Sequence, residues 1–358
     1  MKKNIKYYTE KPPFINRIEE KKYFLDYFNW APTNILFVYW PKSTWKTTLI
    51  NKIIKEDLNN NKFNVNFLNL RSVLLTNFID FKHIFFPEHL KSKTKQILEW
   101  AKLSAFWFSW EPKDLDLIET NIFTVLENKI RELNSKWIKP VIIIDEFQYL
   151  KDIFIDKERG IKLINELFKF FISLTKQFNL CHIVCLTSDS YFLEELYNDT
   201  KLANTSDFYL MEHLSKKDIF YWLEDLEKID KKIVEKIWRK LGGSVWEIWQ
   251  VLISYKNTWN YENKLDDLLK TKYSLVLDWY RRQINNPEKK SDFVKIIKNI
   301  SKKWYYKYWI EENYYELIKE LVDKDIWFYD IKDDKITANS KSLEVVFKKL
   351  LKEIDKQK

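Results

Sequence analysis

The sequence predicts an α/β fold: a mostly parallel sheet covered by helices on both faces, then an all-helical segment, then a small unit of helices and a hairpin. Three observations predict it. Short apolar runs alternate with amphipathic helical stretches through the first 214 residues. One run, PVIIIDEF (140–147), is apolar without interruption and closes on two carboxylates, as expected of a strand buried on both faces. After Leu214 the pattern turns to helices, and the next hairpin signal comes only at WFYD-IKDD-KITA.

Taken in order, FINRIEEKKYFLDYF (14–28) carries apolar residues at helical spacing after an Asn-Arg start. APTN turns the chain, and ILFVY (35–39) reads as a buried strand. A polar loop follows, and residues 46–58 look helical. FNVNFLNL (63–70) alternates with period 2 and reads as a second strand. The polar and aromatic stretch to about residue 110 reads as helix with loops. Residues 113–134 form a helix, 140–147 a strand, 160–178 an amphipathic helix, LCHIVCLTSDS a strand with a polar tip, and DFYLMEHL (207–214) the last strand. Alternation of this kind argues for a parallel sheet.

Beyond it, Ser215 with Asp218 three residues on forms a capping signal for LSKKDIFYWLEDLEK. Two helices flank Gly242-Gly243. The C-terminal part has helical runs, the hairpin, and a last helix, which suits a winged helix. The expected domains are 1–213, 214–275 and 276–358.

The 358 residues are 46% hydrophobic and 32% charged, which fits a globular protein and contains no apolar run of membrane-spanning length. The N-terminal stretch is basic without an apolar core, so a cytoplasmic protein is expected, with no membrane partner. Cys181 and Cys185 lie in an apolar run and read as buried core thiols. The four histidines show no metal-ligand spacing. The net charge of +9 favours an anionic partner, but only seven of the 61 basic residues are arginine, and an AT-rich gene accounts for much of the lysine.

The glycine count is anomalous. A chain of this length usually holds about 25 glycines; this one holds 3, with 16 tryptophans. Several tryptophans stand where glycine chemistry is expected: Trp30, Trp40, Trp45, Trp137, Trp259 and Trp327 at turns or at the ends of elements. Trp222, Trp238, Trp246 and Trp249 sit instead in helical apolar stripes. Some bacterial lineages read UGA as glycine, and translating such a gene with UGA as tryptophan gives this pattern. A degenerate chain with genuine tryptophans is the alternative.

The loop YWPKSTWKTT (39–48) becomes GPKSTGKT when Trp40 and Trp45 are read as glycine. Such a loop curls its backbone N–H groups around phosphate, lysine reaches the phosphates, and the next hydroxyl holds Mg²⁺. The candidate nucleotide-binding set is therefore Trp40, Pro41, Lys42, Ser43, Thr44, Trp45, Lys46, Thr47 and Thr48. About 100 residues on, Asp145 and Glu146 end an apolar strand; Asp145 suits Mg²⁺ with Thr47, and Glu146 suits the orientation of an attacking water. Thr187 and Ser188 end the next strand, where ligands of parallel sheets bind. Arg17, Arg71 and Arg159 are candidates for nucleotide or charge contacts, each with a surface or structural reading beside it.

FINRIEE, the YWPKSTWKTT loop, VIIIDEFQYL, CHIVCLTSDSYF and LGGSVWEIW together resemble the archaeal-type ATPase family, a branch of the AAA+/STAND P-loop NTPases, over roughly residues 14–255. The resemblance implies a P-loop NTPase three-layer sandwich with a helical lid and a winged-helix domain, and ATP with Mg²⁺ as ligands. It implies Arg17 near the adenine, Lys46 and Thr47 on phosphate and Mg²⁺, and Asp145 and Glu146 as the hydrolytic pair. Thr187 or Ser188 serves as sensor, and the Gly242-Gly243 turn helps the lid meet nucleotide. The expected activity is slow ATP hydrolysis acting as a switch, with DNA or a protein as a partner of the winged helix and the oligomeric state left open. The rival reading is a dead P-loop scaffold or nucleic-acid-binding module. Trp40 and Trp45 depart from the family pattern, and taken literally they oppose ATP binding.

Overall fold

The computed structural model describes residues 14–41, 46–85, 122–197, 202, 204–307 and 314–356. A five-stranded sheet forms its first part, with strand order β2-β3-β6-β1-β7. The strands are β1 (Ile35–Tyr39), β2 (Phe63–Asn69), β3 (Lys139–Asp145), β6 (His182–Thr187) and β7 (Ser206–Leu210), all paired in parallel.

Alternation along each strand sorts side chains into two layers, as the pleat requires. Ile35, Phe37, Ile142, Ile144, Ile183 and Cys185 join one apolar cluster, and Leu36, Val38, Val141, Ile143, Val184 and Leu186 join another. The second is covered by α1 (Ile18–Asn29) and α2 (Lys46–Glu56). The first is covered by α3 (Phe78–Phe85), α4 (Ile122–Ser135) and α5 (Leu163–Ile172), which runs on as a wider π turn over Ser173–Gln177. Three layers result, as the sequence predicts.

The differences lie at ends. The first helix begins at Ile18, not 14, and α2 stops at Glu56. The strand expected over 140–147 ends at Asp145, because Glu146 turns into the left-handed region and a 3₁₀ turn follows at Phe147–Leu150. The stretch 160–178 starts as a strand: β4 (Phe154–Asp156) and β5 (Ile161–Lys162) form an unpredicted hairpin, and helix begins at Leu163. The strand expected to reach residue 214 ends at Leu210. Residues 86–121, including the first part of the helix expected over 113–134, lie outside the described residues.

The next segment is helical. After α6 (Ser190–Tyr197), which precedes β7, a capping box at Ser215 and Asp218 opens α7 (Lys216–Phe220). Then come α8 (Lys231–Leu241) and α9 (Val245–Thr258) around the glycine pair. Their apolar faces close a separate cluster containing Trp222, Ile237, Leu241, Ile248 and Leu252. The helix α10 (Glu262–Arg282) continues through the expected boundary at 275. The C-terminal part holds α11 (Pro287–Lys303), β8 (Tyr306–Lys307), α12 (Tyr315–Asp323), β9 (Trp327–Asp330), β10 (Lys335–Ala338) and α13 (Lys341–Lys356). Its strands form an antiparallel sheet in the order β8-β10-β9. Among the described residues, no helix is long and apolar enough to cross a membrane.

The tryptophans divide. Trp222 and Trp327 are buried, and Trp327 is the first residue of β9, just after a turn. Trp246, expected in an apolar stripe, is 48% exposed. Trp137, Trp259 and Trp304 take positive φ values of 59°, 57° and 74°. All three follow helix C-termini, the place where glycine is favoured. At Trp137 the bonds Trp137 N–H to Asn134 O and Ile138 N–H to Leu133 O, both 3.0 Å, complete a Schellman motif.

Candidate functional site

Parallel pairing levels three strand ends at one edge of the sheet. Tyr39 is the register partner of Thr187, and Asp145 that of Leu186. The β1 strand delivers Trp40 and Pro41 to this edge, and α2 starts at Lys46, so its N-terminus opens there. Lys42, Ser43, Thr44 and Trp45 lie outside the described residues, and so does the side chain of Lys46. Trp40 is 2% exposed and packs in the cluster with Phe24, Leu49 and Met211. Its indole therefore lies in the core beneath α1 and α2.

The Thr47 hydroxyl donates to Asp145 Oδ2 at 2.8 Å, across 98 residues of chain. Asp145 is 1% exposed, and its other oxygen accepts the Glu146 N–H at 3.0 Å. A hydroxyl and a carboxylate at a helix N-terminus are hard oxygen donors of the kind Mg²⁺ takes alongside its waters. The residues thus fit the ion. Thr48, the next position of the loop motif, is exposed.

Glu146 is held in the left-handed region at φ 61°, a conformation that non-glycine residues adopt at a cost. Its carboxylate is nearly inaccessible, and named partners reach both oxygens. Arg71 Nη2 lies 2.9 Å from Oε1. Gln148 Nε2 donates to Oε2 at 2.7 Å. Arg71 loses some hydration there, but Glu146 and Tyr149 outweigh that and raise its pKa further, so it stays charged. Thr187 is fully buried; its hydroxyl donates to Gln148 Oε1 at 2.7 Å and accepts from Asp189 N–H at 3.0 Å. Thr187, Gln148, Glu146 and Arg71 form one hydrogen-bonded line from β6 to the end of β2.

The sequence reading marked Thr187 and Glu146 but passed over Gln148, and it gave Arg71 no specific task. The signal for Gln148 was its place two residues beyond Glu146 on the same turn. Arg17 lies at a seam: it pairs with Glu20 and donates to the Glu212 carbonyl at 2.9 Å, where the sheet domain passes into the lid. Arg159 sits 80% exposed on the β4–β5 hairpin and pairs with Asp156, so it is a surface residue. The Gly242-Gly243 turn meets Leu214 and Lys341. Both cysteines are free and buried, and burial pushes their thiols up. Among the described residues no cluster of His, Cys, Asp and Glu forms a separate metal site.

The chain is similar to known nucleotide-binding proteins over nearly its full length. It is 32% identical to the ATP-binding protein MJ1076 of Methanocaldococcus jannaschii over 345 residues, covering 94% of this chain and 99% of that one. It is 33% identical to MJ0625 of the same organism, covering 95% and 99%. Among solved structures, the Walker-type ATPase PABY2304 of Pyrococcus abyssi superposes with a TM-score of 0.64 at 13% identity, covering 95% of this chain and 99% of that chain. The Aeropyrum pernix ORC2 protein superposes with a TM-score of 0.50 at 9% identity, covering 96% of both. At these identities the two structures speak for the fold alone. Residues 14–251 match the family described as an ATPase domain predominantly from Archaea, and the chain belongs to that family.

Proposed function

We propose that the protein binds ATP with Mg²⁺, hydrolyses it slowly, and passes the nucleotide state to its C-terminal part. The observation that carries this reading is the Thr47–Asp145 contact at 2.8 Å beside the buried carboxylate of Glu146. Thr47 and Asp145 would hold the ion, Lys46 with the loop 40–45 the phosphates, and Glu146 the attacking water. Bound there, Mg²⁺ supplies charge neutralisation at the phosphates. Glu146 accepts the proton of the water as it attacks, and Thr187 meets the γ-phosphate from the neighbouring strand end. A cytoplasmic location is part of the same proposal.

The glycine reading belongs here as well. Three tryptophans in the left-handed region at helix ends support a chain in which UGA codes for glycine. Trp45 lies beside Lys46, and glycine there leaves the phosphate position open. Calorimetry decides: the chain with glycine at 40 and 45 is expected to bind ATP, and Lys46→Ala to abolish binding. Equal affinity with and without the glycines would sink the glycine reading. In the binding chain, Glu146→Gln is expected to retain ATP and lose hydrolysis by about 100-fold or more.

The C-terminal helices with the β8-β10-β9 sheet suit a winged helix, and a DNA or protein partner is part of the proposal. One observation favours the rival, a nucleic-acid-binding module without nucleotide control. A cleft between α8, α10 and α13 is lined by Lys240, Lys270, Lys348, Lys349 and Lys352. Duplex binding with a steep salt slope and no response to ATP favours that rival.

A further inference from the structure

We infer that Gln148 is a positioning residue that makes Glu146 answer to the γ-phosphate, because Thr187 has one hydroxyl proton and two acceptors competing for it. The inference rests on the ATPase reading above. It begins with the chemistry of an amide between a carboxylate and a hydroxyl. Glu146 as a carboxylate only accepts, so the Gln148 face towards it is the NH₂ group. That leaves the Gln148 carbonyl oxygen towards Thr187. That carbonyl oxygen only accepts, so the Thr187 proton goes to Gln148 Oε1 at 2.7 Å, while the Asp189 N–H donates to a lone pair of the same hydroxyl at 3.0 Å. The line of donors is thereby fixed: Asp189 to Thr187, Thr187 to Gln148, Gln148 to Glu146 at 2.7 Å.

The three side chains at the centre of this line are buried: Thr187 is 0% exposed, Glu146 1% and Gln148 9%. A buried amide oxygen that loses its donor is costly, so the line does not loosen on its own. Thr187 stands at the end of β6, register partner of the Tyr39 that leads into the phosphate loop. A γ-phosphate oxygen arriving there draws the Thr187 proton away from Gln148. The Gln148 carbonyl then seeks a new donor, its amide turns, and Oε2 of Glu146 is released to receive a water. ADP has no γ-phosphate and leaves the line closed. Arg71 keeps Oε1 throughout, so the carboxylate pivots about a fixed ion pair.

Two consequences have opposite sign, which a merely structural role of Gln148 does not give. With Gln148→Leu the Thr187 proton is free beforehand, so a non-hydrolysable ATP analogue binds more tightly relative to ADP, about 5-fold. The same variant leaves Glu146 without its guide, and kcat falls about 10-fold or more with KM little changed. Thr187→Val loses the preference for the analogue over ADP. In nucleotide preference the double variant matches Thr187→Val, since Gln148 bears on that preference only through the hydroxyl. Thr187→Ser restores both readouts.

The experiment is calorimetry with ADP and the analogue on the ATP-binding form of the full chain and these variants, alongside steady-state hydrolysis. The expected result is a raised analogue-to-ADP preference in Gln148→Leu, absent from the double variant. A preference lowered in parallel with kcat, or effects of the two substitutions that simply add, overturns the relay. Glu146→Gln separates the levels. If it leaves hydrolysis intact, the ATPase assignment of Glu146 fails; if it stops hydrolysis while the Gln148 and Thr187 effects add, only the relay fails.

Discussion

At the scale of single residues, backbone conformation is the sharpest witness. Trp137, Trp259 and Trp304 are 92%, 78% and 59% exposed, so their indoles bury little to offset a left-handed backbone. An L-residue there gives up roughly 1–2 kcal/mol. Replacing each by glycine is expected to raise the unfolding free energy by about 1 kcal/mol, and the three together by about 3, since distant sites add. Urea titration reads the gain, and Trp30→Gly is the control: Trp30 is also exposed, but its φ is −77°. If Trp30→Gly helps as much as the other three, backbone strain is not the cause. His182 gives a second residue-scale prediction. It is buried against Tyr27 and Phe28, and desolvation, with the Lys139 charge nearby, pulls its pKa from 6.5 to about 4. The unfolded chain takes up this proton below pH 6.5 while the folded chain resists it until about 4. Stability contributed by the neutral ring is therefore lost as pH falls through that window, by up to about 3 kcal/mol. His182→Phe is expected to flatten that part of the stability–pH curve, measured by denaturant unfolding at pH 7, 6 and 5.

At the scale of elements, the glycine turn between α8 and α9 carries a contrast. A Cβ on Gly243 meets the Leu214 carbonyl oxygen at 1.9 Å, so backbone must move. Gly160 takes φ +68° but has nothing within 4 Å of an added Cβ. Gly243→Ala is expected to destabilise by about 3 kcal/mol or more and Gly160→Ala by about 1, because only the first adds a steric clash. A thermal scan in which the two variants melt together would contradict this. The same contrast explains what could be foreseen from the sequence. Strands such as Ile35–Tyr39 declare themselves because burial on both faces demands an unbroken apolar run. That Thr47 meets Asp145 and that Glu146 and Thr187 stand at neighbouring strand ends was foreseeable because a phosphate-loop pattern ties residue types to strand and helix ends. The place of Gln148 in the hydrogen-bonded line was not, because it comes from a contact with Thr187, 39 residues away, which no local pattern encodes. The β4–β5 hairpin escaped notice because its strands are too short to show alternation.

At the scale of the molecule, the C-terminal hairpin is seated on the strand that leads into the phosphate loop. Tyr39 is fully buried; its hydroxyl donates to Asp330 Oδ1 at 2.9 Å, and its ring stacks on Phe328. The Tyr329 N–H donates to Ser190 Oγ at 3.3 Å, just past β6, and Tyr191 meets Tyr315 edge-on. Apolar residues of the sheet domain and of the C-terminal part consequently form one continuous cluster. A second seam is polar: His213 meets the Asn339 carbonyl at 3.1 Å, and Ser342 and Lys272 both reach the buried Glu247 of the lid. The hairpin thus touches both strand ends, the contact that the proposed nucleotide switch would require of its output part. Tyr39→Phe removes one hydrogen bond to a buried carboxylate that keeps its contacts with Lys335 and the Lys332 N–H, for a loss of about 2 kcal/mol. Hydrogen exchange over 327–338 is expected to rise in this variant while exchange over 231–258, in the lid, stays as it was. In the parent ATP-binding chain, protection of 327–338 is expected to differ between the ADP and ATP-analogue states. That difference should shrink in Tyr39→Phe, because the bond joining strand to hairpin is gone. An undiminished difference means the nucleotide signal leaves the sheet domain by the polar seam at His213 and Glu247 instead.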